Sequence, residues 1–174
     1  MVKSAELKTA ITAAKAAEEV VMHYFGDDIE RRLKSDQTPV TKADEEAEHV
    51  IAETIRSQFP EHGFLGEETG RSDTDSSCCW IVDPIDGTKN YVRGIPLFGT
   101  QIALMRNGRL ELGVSNLPVM GELLYAERGQ GAYLNEVQIH VTSQNSLADA
   151  QISFGGLDHF ADVGQLGPVM EIVR

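Results

Sequence analysis

The chain has 174 residues, 41% hydrophobic and 24% charged, a composition that suits one globular core or one domain with the start of another. Its net charge of −12 excludes the basic face of a nucleic-acid binder, and a phosphorylated ligand would need bound cations or a local basic patch to offset repulsion. No apolar run is long enough to span a membrane and residues 1–6 carry no apolar signal core, so the expected location is the cytoplasm.

Residues 4–25 read as an amphipathic helix, with Leu7, Ala10, Ile11, Ala14, Ala17, Val21 and Tyr24 at spacings of three and four and Gly26 as its stop. Residues 27–40 are polar and turn-rich, a surface loop or flap on which Lys34 could reach a site or simply stay solvated. A second helix opens at Thr41, the expected N-cap, with Asp44, Glu45 and Glu46 in its first turn. Its expected apolar face is Ala43, Ala47, Val50, Ile51, Ile55 and Phe59, and Pro60 ends it. Asp44 has two readings, a carboxylate complementing the helix dipole or a proton acceptor held ionised by the helix N-terminus.

Phe64-Leu65-Gly66-Glu67-Glu68 reads as a short strand ending in a glycine and two acids, and residues 69–77 as a polar loop. Cys78 and Cys79 are adjacent; strand neighbours point to opposite faces, so they are expected to be two reduced thiols. The five histidines form no zinc-binding spacing.

Trp80-Ile81-Val82-Asp83-Pro84-Ile85-Asp86-Gly87-Thr88 is the central stretch. A buried strand runs into an aspartate, then a turn stiffened by Pro84, a second aspartate and Gly-Thr, a good place for a metal ion. The plainer alternative is a strand, a proline turn and two surface aspartates. Lys89 and Arg93 follow closely and either meet an acidic substrate or balance the acidic charge.

Strands are expected at 98–105 and 110–115, joined by a hairpin turn at Asn107-Gly108, and again at Glu122 to Glu127. Gly129-Gln130-Gly131 lies in a hairpin context with no helix behind it, so it is not a nucleotide loop. The two helices should pack on this mainly antiparallel sheet. Past residue 140 come a polar linker, a helix-like Leu147 to Ala150, a strand start at Ile152-Ser153-Phe154 and a helix start near Gly167. The expected organisation is a metal-binding N-terminal α+β subdomain over 1–140 and the start of an incomplete second α/β subdomain over 141–174.

Glu67, Asp83 and Asp86 offer three hard oxygen ligands without nitrogen or sulfur, which favours Mg²⁺ or Mn²⁺ over zinc. Two such ions could clamp the attacking and leaving oxygens of a phosphoryl transfer, with Asp83 bridging, and activate water as the nucleophile. Thr88 could relay a proton towards Asp44, and the amides of Gly87 and Thr88 could hold phosphate oxygens.

Gly66-Glu67-Glu68 followed by Trp80 to Thr88 resembles the signature of the inositol monophosphatase family, within the Mg²⁺-dependent, lithium-sensitive phosphatases. Lys34-Ser35, Thr41-Lys42-Ala43-Asp44 and Gly129 to Ala132 support the match, which covers nearly the whole chain. The resemblance implies a layered α/β sandwich of two subdomains, usually dimeric, acting on a small phosphorylated metabolite. It implies that Glu67 and Asp83 with the carbonyl of Ile85 bind a first metal, that Asp83 and Asp86 bind a second, and that Asp44 and Thr88 activate water. It also implies that Asp86, Gly87 and Thr88 touch the phosphate and that Lys34 lies on a mobile flap.

Lys89 to Pro96 looks most like the histidinol-phosphate phosphatase branch of histidine biosynthesis, with inositol 1-phosphate or a sugar or nucleotide bisphosphate as alternative substrates. The family's late Trp-Asp motif has no match: the one tryptophan, Trp80, is followed by Ile81, and Asp149, Asp158 and Asp162 lie outside such a motif. The expectation is therefore a chain cut short of its second subdomain. A non-catalytic fragment that binds Mg²⁺ and self-associates is the competing expectation.

Overall fold

The computed structural model describes residues 3–26, 31–33, 39–72, 76–151, 153 and 158–172. Lys34, Asp73 and Asp75, and Ile152 and Phe154 of the expected late strand, lie outside the described residues. The chain divides into two compact units, Met1–His140 and Val141–Arg174.

The first unit opens with α1 (Ala5–Tyr24), whose N-cap Ser4 accepts the Leu7 N–H at 3.0 Å. A two-stranded ribbon follows, β1 (Arg31–Leu33) against β2 (Pro39–Thr41), within the stretch expected to be loop. Then comes α2 (Lys42–Gln58), which starts with a capping box. The Thr41 hydroxyl accepts the Asp44 N–H at 3.4 Å while the Asp44 carboxylate accepts the Thr41 N–H at 2.8 Å.

The remaining strands form one eight-stranded sheet: β3 (Gly63–Gly66), β4 (Gly70–Ser72), β5 (Cys78–Asp86), β6 (Gly99–Arg106), β7 (Arg109–Leu117), β8 (Glu122–Glu127), β9 (Gly131–Leu134) and β10 (Val137–Ile139). Their spatial order is β10-β9-β8-β7-β6-β5-β3-β4. Every pairing is antiparallel except β3 with β5, which run parallel with Gly66 opposite Val82. The β6–β7 hairpin turns at Asn107 and Gly108, both with positive φ, as the Asn-Gly pair requires.

Both helices lie on one face of the sheet, α1 against β6 and β7, α2 against β5, and the helices against each other. The core between them holds Leu7, Ala14, Ile51, Ile55, Trp80 and Ile102, all essentially inaccessible. Alternation along β5 sends Trp80 and Val82 into this core and leaves Ile81 and Asp83 half-buried. The result is a layered α+β fold.

Three local expectations are corrected. Residues 70–72 pair with β3 instead of belonging to an open loop. The Asp83-Pro84-Ile85-Asp86 segment is not a turn beyond the strand, since β5 runs on through Asp86. Asp83 faces Gln101 and Asp86 faces Gly99, so three steps on β5 oppose two on β6; Pro84, which has no N–H for the ladder, sits inside that bulge. Val50 is only half-buried, and Glu48 is buried on the α2 face instead.

The second unit holds a 3-10 turn at Leu147–Asp149 and two short helices, α4 (Asp158–Asp162) and α5 (Leu166–Ile172); α3 (Thr88–Tyr91) belongs to the first unit.

Candidate metal-dependent phosphate site

Parallel pairing of β3 with β5 determines the site. It carries the chain that follows Gly66 to the end of β5, and the Glu67 N–H extends the ladder by donating to the Val82 carbonyl at 3.0 Å. Glu67 thereby arrives beside Asp83, sixteen positions away in sequence, close enough for its carboxyl to act on that of Asp83. Burial, the neighbouring Glu67 carboxyl and the charge of Asp86 push the Asp83 carboxyl up to about 8, so at neutral pH the pair holds a proton. Asp83 Oδ1 is buried with no hydrogen-bond partner.

Asp86 stands at the far end of the bulge, exposed, with its Oδ2 accepting from Gln101 Nε2 at 3.3 Å. It acts on Asp83 through charge. Among the described residues no three His, Cys, Asp or Glu side chains converge as a metal-holding group. The structure joins Glu67 to Asp83 and leaves Asp86 to one side. The donor chemistry nonetheless fits a divalent cation: an unpartnered buried carboxylate oxygen, a neighbouring carboxyl and nearby negative charge, all oxygen donors.

Behind Asp86 the chain turns through Gly87, whose φ of 92° is left-handed, and enters the four-residue α3. A Cβ at Gly87 would also press on the Leu97 carbonyl. The Asn90 side chain holds the return of the loop by donating to Leu97 O at 2.8 Å, and Tyr91 anchors α3 to α1 through its hydroxyl on Val21 O at 2.8 Å. The Thr88 hydroxyl donates to the Ile85 carbonyl at 3.0 Å. Lys89 and Arg93 are exposed on this turn, with Arg93 donating to the Lys89 carbonyl at 2.6 Å.

Asp44 is only 1% exposed. Its Oδ2 accepts from both the N–H and the hydroxyl of Thr41, at 2.8 and 2.6 Å, so the dipole-complementing role is realised in full. Glu48, one turn along the same helix, was absent from the expected site. It too is 1% exposed, and its carboxylate accepts the N–H groups of Glu68 and Thr69 and the Thr69 hydroxyl. The sequence signal was a glutamate four residues after Asp44, on the stripe of Ala47 and Ile51.

Asp83 also borders a groove of about 430 Å³ on the sheet face away from the helices, with Ile81, Gln101, Ala103, Ser115 and Leu124.

A model of the inositol monophosphatase family matches residues 3–159. The chain is 42% identical over 146 residues to a protein of Chlorobaculum parvum named histidinol-phosphatase, covering 82% of this chain and 56% of that protein. It is 39% identical over 158 residues to the inositol-1-monophosphatase of Mesorhizobium japonicum, covering 89% of this chain and 59% of that protein. Its fold is similar to the crystal structure of the extragenic suppressor protein SuhB from Bartonella henselae, with a TM-score of 0.79 at 35% identity over 83% of this chain and 57% of that one. The chain thus spans little more than half the length of the relatives it matches.

Proposed function

The chain belongs to the inositol monophosphatase family, and from that premise we propose that it serves the Mg²⁺-dependent hydrolysis of a small phosphomonoester. Histidinol phosphate is the first substrate, supported by the relative of that name and by the likeness of Lys89 to Pro96 to that branch. Inositol 1-phosphate is the alternative, supported by the relative named for it. The observation that carries the reading is the unpartnered Asp83 oxygen beside Glu67, a carboxyl pair that keeps a proton where a cation would take its place.

Glu67, Asp83 and Asp86 with the Ile85 carbonyl would hold Mg²⁺ or Mn²⁺, which supplies charge neutralisation of the phosphate and electrophilic activation of the attacking water. The chain's own residues then orient and move protons. The Thr88 hydroxyl spends its hydrogen on Ile85 O, so it presents lone pairs to the water. Asp44 is the proposed proton acceptor: as the water's proton passes to the Thr88 oxygen, the Thr88 hydrogen leaves Ile85 O for the Asp44 carboxylate, so one proton enters the hydroxyl and one leaves it. The amides of Gly87 and Thr88 precede Asn90, the first donor of the α3 ladder, and are proposed to hold phosphate oxygens beside Asp86. The proposed working assembly is a cytoplasmic homodimer; among the described residues no helix is long and apolar enough to cross a membrane.

Phosphate release by the 174-residue chain, with and without Mg²⁺, on histidinol phosphate and inositol 1-phosphate tests this. Mg²⁺-dependent release is expected, at least 100-fold lower in Asp86→Asn, and the faster substrate identifies the branch. A folded chain that binds Mg²⁺ and releases no phosphate would replace the enzyme with a cation-binding module. Sedimentation equilibrium on the same preparations tests the homodimer.

A further inference from the structure

Glu48 is the buried charge that the scheme above does not use. A carboxylate withdrawn from water is costly unless its oxygens are satisfied, and in Glu48 they are satisfied by one short segment. Oε2 accepts the Glu68 N–H at 2.8 Å. Oε1 accepts the Thr69 N–H at 2.9 Å and the Thr69 hydroxyl at 2.6 Å. Hydrogen bonds to an ionised acceptor are the strong ones, so this is a rigid clamp on residues 68 and 69.

The approach is close enough to decide the residue before the clamp. A Cβ at position 66 would overlap both Glu48 oxygens and the carbon between them, nearer than real Cβ atoms come to anything. Gly66 has no positive φ to require glycine. Its missing side chain is the space through which the Glu48 carboxylate passes.

Glu67 lies between these two features. Its N–H is tied to Val82 on β5, the next two residues are tied to Glu48 on α2, and its own carboxyl is left to meet Asp83. Glu67 is itself exposed. Its backbone is restrained from both sides.

We propose that Glu48 is a positioning residue for Glu67: by clamping the 68–69 backbone under Gly66 it sets the Glu67 carboxyl against Asp83 and so determines the affinity of the site for a divalent cation. The proposal rests on the metal-site reading above. Partners that orient a ligand typically change metal affinity about 10–100-fold when removed.

The test is Mn²⁺ binding by calorimetry at pH 7, with the thermal midpoint of each variant measured alongside. Glu48→Gln places an amide donor where an acceptor is needed and is expected to weaken Mn²⁺ binding about 10-fold or more. Thr69→Val removes one donor at an exposed position and is expected to weaken it about 3-fold with the midpoint nearly unchanged. Glu53→Gln removes the same charge from the solvent face of α2, where Glu53 meets His49 at 3.3 Å, and is expected to leave affinity unchanged.

Unchanged Mn²⁺ affinity in both Glu48→Gln and Thr69→Val overturns the positioning role while leaving the metal site standing. Equal losses in Glu48→Gln and Glu53→Gln overturn it as well, because overall charge then explains the effect. A wild-type chain that binds no Mn²⁺ overturns the metal-site reading and the positioning role with it. If Glu48→Gln does not fold, Thr69→Val against Glu53→Gln decides.

Discussion

Asp83 takes up a proton on folding. Its carboxyl rises from 3.8 to about 8 because it is buried beside Glu67 and feels Asp86. In the cation-free chain the folded state therefore binds a proton between about pH 4 and 8 that the unfolded state has already lost. Stability from this group is fully present below the unfolded value and falls as pH rises through that window, levelling above about 8. Glu18, with its carboxyl held low by Lys15 and Asn116 against the cost of burial, works in the opposite direction, but only near the ordinary carboxylate range. The Asp83 contribution is thus best read between about pH 5.5 and 8. The thermal midpoint measured with a chelator present should decline across that interval, and Asp83→Asn should flatten the decline. Under the proposed metal site, saturating Mg²⁺ should flatten it too, since a bound cation would replace the proton. A midpoint that rises with pH in the wild-type chain would contradict the electrostatics of the pair.

Helix α2 is the element on which the site depends most. One turn of it supplies the capping box of Thr41 and Asp44, and the next supplies Glu48 to the loop after β3. Thr41 is fully buried, and its hydroxyl both caps the helix and donates to the Asp44 carboxylate. Loss of an N-cap typically costs about 1 kcal/mol, and depriving a buried acceptor of its donor adds to that. Thr41→Ala should therefore lower the free energy of urea unfolding by about 1–3 kcal/mol, with Thr41→Ser close to wild type. Equal destabilisation by Ser and Ala would mean that the methyl packing, rather than the hydroxyl, is what the position supplies.

At the scale of the molecule, among the described residues the buried hydrophobic side chains all belong to the first unit, from Leu7 to Tyr125. The described residues of the second unit, Val141–Arg174, include the short helices α4 and α5 and contribute none of these buried side chains. Cooperative unfolding follows from a shared core, so the stability of the chain should reside in the first unit. A chain ending at His140 should keep its circular dichroism signature per residue of sheet and unfold within about 3 °C of the full-length midpoint. A drop of 10 °C or more would show that residues 141–174 complete the fold.

Much of this protein was legible as pattern. The 3.6-residue stripes of α1 and α2, the Thr41 cap, the Asn107-Gly108 turn and the apolar run into Asp83 are local features, dictated by backbone geometry within a few residues. The residue types Glu67, Asp83 and Asp86 already pointed to a hard cation. Tertiary structure decided three other things. Parallel pairing of β3 with β5 brings Glu67 to Asp83, and no local periodicity encodes which distant strands pair. The bulge at Pro84 keeps Asp86 in the strand and turns it towards Gln101, because a proline without an N–H is compatible with a turn or with an irregular ladder until the partner strand is known. The burial of Glu48 follows from three donors that arrive from residues 68 and 69 only after the chain has folded back, so a glutamate that by itself belongs in water becomes a fixed anion under Gly66.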